Sequence, residues 1–136
     1  MGTGRQIVKT WLAIAAGGAI GAMGRYAVGL LCQRWFGEGF PVGTLVVNVS
    51  GCFLIGIAWN WTLSRQEELP WLAPLIITGF LGAWTTFSTF GHETLRHATA
   101  QNTTTALANV AANLICGLAA AWGGAHLGRL WFASSA

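Results

Sequence analysis

Most of the charged residues in this chain fall at the ends of long apolar segments, and that placement limits the fold more than any other feature. Arg5, Lys9, Arg34, Arg65, Arg96 and Arg129 mark those ends. Only 8% of the residues are charged, against 54% that are hydrophobic. A soluble domain carries roughly 25% charged residues, so this chain cannot cover a water-facing surface. It reads as an integral membrane protein. The net charge of +3 is membrane-flanking charge rather than a nucleic-acid patch.

The 136 residues suffice for one small domain, divided into four apolar segments with approximate bounds 7–36, 43–63, 71–100 and 106–132. Short turns join them: Gly37–Val42, the polar loop Ser64–Pro70, and Gln101–Thr105. Each segment is long enough to cross a hydrocarbon core of about 30 Å as a helix. In the first, Gly17 and Gly21 form a GxxxG pair that admits a close helix neighbour. Its apolar run extends well past a signal-peptide h-region, so no cleaved leader is expected. With four spans both termini share a side. Arg5, Lys9, Arg65 and Arg129 then lie on one side, and Arg34, Arg96 and Arg25 on the other. That weak bias permits insertion in both orientations.

The third segment holds GFLGAWTTFSTF, Gly79–Phe90. Glycines and hydroxyl residues at this density make a poor continuous helix. Non-helical backbone at membrane depth survives only if protein buries it or a watery cavity solvates it. The stretch is therefore either an odd intact helix or one broken to present backbone groups to an ion. Phe87 and Phe90 share a face if the helix resumes after the break. Asn48 lies in the middle of an apolar run, where an amide requires partners; it serves either as glue between helices or as a donor facing a path. Asn109 and Asn113, four apart, share a face of the fourth segment. Arg25 must snorkel to the boundary or face a polar partner or an anion-accessible vestibule.

Catalytic chemistry is missing. The sequence has no GxxxxGK[ST], HExxH or GxSxG motif. Its three histidines are dispersed, and Cys32, Cys52 and Cys116 are isolated, read as small buried hydrophobes. An enzyme is not expected; transport is. Glu93 is the only acidic side chain within an apolar segment, whereas a cation path usually needs acidic or carbonyl rings. A break bares carbonyls on one half-helix and N–H groups on the other: carbonyls suit a small cation, while N–H groups, hydroxyls (Thr86, Ser88) and the positive edges of Phe87 and Phe90 suit a small hard anion.

Three motifs in order, GGAIGAMGRY (Gly17–Tyr26), GTLVVNVSGCFLIG (Gly43–Gly56) and GFLGAWTTFSTFGHE (Gly79–Glu93), resemble the CrcB/Fluc family of small fluoride channels. The resemblance implies an all-α membrane protein of four helices, the third broken near its middle, forming an antiparallel homodimer by dual-topology insertion. It implies two fluoride pores per dimer and passive export of fluoride across a bacterial inner membrane. A structural sodium ion, not transported, would be held by the backbone carbonyls of Gly82 and Thr85 from both copies. Asn48, Phe87, Phe90, Arg25 and Glu93 match family positions on or near the fluoride path, to which the reading adds Thr86, Ser88, Asn109 and Asn113.

Three departures from the family pattern stand out. Ala83 and Gly91 occupy positions where many relatives have glycine and serine. The face Asn109, Asn113, Gly117, Ala121 replaces part of a hydroxyl track. Two other classes compete with a fluoride channel. A small dual-topology exporter of organic cations would need a carboxylate deep in an early helix, and the first segment has none. A non-transporting membrane scaffold is the third.

Overall fold

The computed structural model of the protein describes residues 2–132. Helix α1 spans Gly2–Phe36 and α2 Val42–Ser64. A π-helical stretch, π1, follows at Pro74–Leu81, continued by one α-helical turn, α3, at Gly82–Trp84. The chain then runs into α4, Phe87–Thr99, and α5, Thr103–Phe132. Helix α1 begins five residues before the sequence-based bound of 7, and the segment expected at 71–100 is divided among π1, α3 and α4. The π-helical winding of 74–81 was not foreseen.

The turns are set by local chemistry. Gly37 takes a left-handed φ of 72°, and its N–H donates to the Gln33 carbonyl at 2.9 Å, closing α1 with the motif glycine favours. Helix α4 ends in the paired arrangement of a Schellman cap. Gln101 N–H donates to Ala98 O and Asn102 N–H to His97 O, with Gln101 at φ 60° where glycine is usual. Asn102 then caps α5 by accepting from Thr105 N–H at 3.3 Å.

Three helices, at Gly4–Phe36, Val42–Ser64 and Thr103–Phe132, are long and apolar enough to cross a membrane. The surface agrees. Trp11, Leu12, Ile20, Met23, Leu118 and Trp122 are 62–71% exposed, while Val47 and Asn109 are the largest fully buried side chains. An exterior more apolar than the interior is stable in lipid, where hydrophobicity does not drive helices together and close packing must. Cys116 shares this exposed surface, whereas Cys32 is buried and Cys52 half-buried; Cys116 is thus not the buried hydrophobe the sequence suggested.

Glycine seams supply the packing. A Cβ on Gly17 would lie 2.2 Å from Leu75 O, and one on Gly21 2.2 Å from Phe80 O. The GxxxG pair thus seats α1 against π1. Gly56, Gly124 and Gly128 join α2 to α5 in the same way: a Cβ on Gly124 would stand 2.0 Å from Phe53 O.

Candidate functional site

Helical winding stops at Thr85 and Thr86, whose φ, ψ values of −82°, 159° and −152°, 114° are extended. Side chains hold the backbone in that state. Thr86 N–H, which an unbroken helix would direct to the Gly82 carbonyl, instead donates to Asn48 Oδ1 at 2.8 Å. Thr89 N–H, which would reach the Thr85 carbonyl, donates to Thr86 Oγ1 at 3.2 Å and caps α4. Both Gly82 and Thr85 carbonyls therefore lose their helical donors. The Ala83 carbonyl between them accepts from Arg25 Nε at 2.9 Å. Arg25 thus takes a polar partner inside the protein.

Asn48 grips Thr86 at both peptide groups. Besides accepting from its N–H, Asn48 Nδ2 donates to Thr86 O at 3.3 Å and to Asn113 Oδ1 at 2.9 Å. Asn113 Nδ2 in turn donates to Asn109 O and Oδ1 at 3.0 and 2.9 Å. The three asparagines singled out in the sequence are one hydrogen-bonded cluster joining α2, α5 and the interruption. Both N–H groups of Asn48 are engaged by the protein.

Helix α4 resumes at Phe87, so Phe87 and Phe90 are neighbours, their rings tilted at 56° with centroids 5.5 Å apart. They differ in exposure: Phe90 is buried and Phe87 is 82% exposed. A cavity of about 310 Å³ runs beside them, lined by Asn48, Cys52, Gly82, Thr85, Thr86 and Asn113. Ser88 is exposed, with its hydroxyl 3.3 Å from Thr86 Oγ1.

A second cavity of about 370 Å³ has a mixed lining, with Arg25, Glu38, Thr86, Glu93 and Arg96 among its polar residues and Tyr26, Leu30 and Phe40 among its apolar ones. Glu93 Oε2 is buried there and has no hydrogen-bond partner. Thr86 lines both cavities, so the interruption stands between a vestibule of balanced charge, with Arg25 and Arg96 facing Glu38 and Glu93, and the phenylalanine-walled groove. Asn109, fully buried, lines neither.

Trp84 was missed in the sequence. Its Nε1 donates to Ser50 Oγ at 3.0 Å, and its ring stacks on Phe80 with centroids 5.7 Å apart, fixing α3 against α2. No spacing signal marks that pair. Among the described residues no cluster of His, Cys, Asp or Glu could hold a metal. The released Gly82 and Thr85 carbonyls are oxygen donors of the kind a hard cation takes.

The chain was compared with known proteins. Residues 12–125 match the family model described as CrcB-like protein, Camphor Resistance (CrcB). A protein of Dehalococcoides mccartyi named fluoride-specific ion channel FluC is 42% identical over 119 residues, covering 88% of this chain and 92% of the relative. Proteins of the same name from Acidobacterium capsulatum and Shewanella amazonensis are 43% and 47% identical, covering 88% and 85% of this chain and 95% and 93% of theirs.

Proposed function

Because the chain belongs to the CrcB family of ion channels, and is no enzyme, we propose that it is a fluoride-selective channel that lets fluoride leave the cytoplasm passively. The observation that carries the reading is the convergence at Thr86 of the vestibule and the phenylalanine-walled groove, in a chain with relatives named for fluoride over most of its length.

Arg25 and Arg96 are the vestibule groups that attract an anion, opposed there by Glu38 and Glu93. At the interruption, fluoride exchanges part of its hydration shell for the hydroxyls of Thr86 and Ser88 and for the ring edges of Phe87 and Phe90. Chloride, being larger, is rejected by the narrowness of that passage. Taken together, π1, α3 and α4 form the fourth membrane crossing, a single broken span within one domain of residues 1–136.

The active form is an antiparallel homodimer with two pores. An exposed ring at Phe87 beside released carbonyls is a surface that protein, rather than lipid, should cover. The Gly82 and Thr85 carbonyls fit a cation because Asn48 and Thr86 have taken their hydrogen-bond donors. One chain offers only part of a coordination shell, so matching carbonyls from a second copy complete it. The Gly82 and Thr85 carbonyls of both copies would hold a sodium ion, whose positive charge would balance their dipoles and join the copies. We place the dimer in a bacterial inner membrane.

The test is efflux from liposomes holding the purified protein, loaded in parallel with potassium fluoride or potassium chloride, with valinomycin to carry the counter-ion. Fast fluoride loss with chloride retained is expected. Retention of both by folded protein refutes the channel reading and leaves a scaffold; export of organic cations would establish the competing transporter class.

A further inference from the structure

The asparagine cluster continues beyond the residues that the family resemblance marks. Asn109 Nδ2 donates to Thr94 Oγ1 at 2.9 Å, and Thr94 Oγ1 donates to Phe90 O at 2.8 Å. With the bonds already described, this makes an unbroken sequence. Thr86 N–H donates to Asn48, Asn48 to Asn113, Asn113 to Asn109, Asn109 to Thr94, and Thr94 to the Phe90 carbonyl. The five bonds measure 2.8–2.9 Å. The chain leaves the start of α4, crosses α2 and α5, and returns to α4 one turn later.

All five bonds point the same way, and the two ends dictate the direction. Thr86 N–H is a backbone donor, so Asn48 must present its oxygen. Phe90 O is a backbone acceptor, so the Thr94 hydroxyl must donate to it and accept from Asn109. Each amide between has one permitted orientation. Turning any one would set oxygen against oxygen or NH2 against NH2. Asn109 is 0% exposed, so solvent cannot repair such a mismatch, and a same-sense chain in a low-dielectric setting strengthens its members.

We infer that Thr94 and Asn109 are positioning residues for the ion path: the Thr94 hydroxyl terminates a one-way amide chain that fixes the orientation of Asn48 and so keeps Thr86 extended between the two cavities. Asn109 serves here as an internal strut of the path rather than a contact for the ion. The effect on ion flow rests on the fluoride reading; the chain's effect on Thr86 does not.

The experiment uses the full-length protein in lipid and has two readouts: hydrogen–deuterium exchange at the Thr86 amide and fluoride efflux from liposomes. Thr94→Val keeps the shape of the side chain but strands the Asn109 N–H. It should speed Thr86 exchange about tenfold, because an unsatisfied buried donor weakens the chain by that order, and should lower efflux, with exchange in α1 unchanged. Thr94→Ser keeps the hydroxyl and should restore both. If Thr94→Val does not fold, Thr94→Ala takes its place. Wild-type exchange in the valine variant, or faster exchange with undiminished efflux, overturns the inference, as does a serine variant that behaves like valine. Wild-type protein that carries no fluoride would sink the function reading alone, while the exchange comparison would still decide whether Thr94 holds Thr86.

Discussion

Replacing Asn48 by alanine probes the point where the proposed ion path meets the released carbonyls of Gly82 and Thr85. The substitution removes three hydrogen bonds: the one from Thr86 N–H at 2.8 Å, and the two donated to Asn113 Oδ1 and Thr86 O. A stranded buried donor or acceptor costs about 1–3 kcal/mol. Losing the partners of Thr86 N–H and Asn113 Oδ1 together thus costs about 2–6 kcal/mol if nothing relaxes. One relaxation is at hand, in which Thr86 N–H returns to the Gly82 carbonyl. That recovers one bond, leaving about 1–3 kcal/mol, but it closes the interruption and withdraws a carbonyl from the cation set. On that rewinding sodium should no longer stabilise the protein. The assay is thermal unfolding in detergent, with sodium chloride compared against N-methylglucamine chloride. At a hundred times its dissociation constant, sodium should add about 2.7 kcal/mol to the wild type and little to Asn48→Ala. An undiminished sodium increment in Asn48→Ala would refute the reasoning that Asn48 releases the Gly82 carbonyl.

Three further outcomes are expected. Gly124→Ala drives a methyl to 2.0 Å from Phe53 O, so it should cost about 1–3 kcal/mol or more by overpacking the α2–α5 seam. Gly123→Ala faces open space and should melt like the wild type; equal melting of the two variants would deny the seam. Gly117→Ser places its Cβ an ordinary 3.5 Å from Cys52 Sγ, so it should fold normally and quicken fluoride efflux by restoring a hydroxyl, and an unaltered efflux rate would make that departure neutral. Phe87→Ile and Phe90→Ile should each cut fluoride efflux while leaving the protein folded, and full efflux in both would remove the phenylalanines from the path.

The four apolar segments were legible because charge at the ends and length in between are read directly against the bilayer. The GxxxG pair at Gly17 and Gly21 was legible as a close approach, but not its partner: the π-helical stretch from Pro74 has no periodicity that a reading tuned to 3.6 residues per turn would detect. Asn48 was visible as an amide that needed partners. Its choice of partners was not, since Thr86, Asn109 and Asn113 come to it from other elements of the fold. Thr94 lay hidden for the same reason. A threonine in an α-helix commonly bonds to the carbonyl four residues back, as Thr94 does to Phe90, and only the arrival of Asn109 gives that bond a further use.

The interruption also answers why a small chain spends so many polar side chains inside a membrane. Released carbonyls at Gly82 and Thr85 are costly in hydrocarbon, and threonine and glycine alone would not force them free, because the helix could simply rewind. What prevents rewinding is a competing acceptor for each diverted N–H: Asn48 Oδ1 for Thr86 and Thr86 Oγ1 for Thr89. Both acceptors belong to residues lining the groove beside Phe87 and Phe90. The geometry that would expose oxygen to a cation is therefore the same geometry that fixes where the phenylalanine pair and the Thr86 hydroxyl stand. A substitution that let the helix rewind would alter both together, so conduction and cation-dependent stability should fail in the same variants.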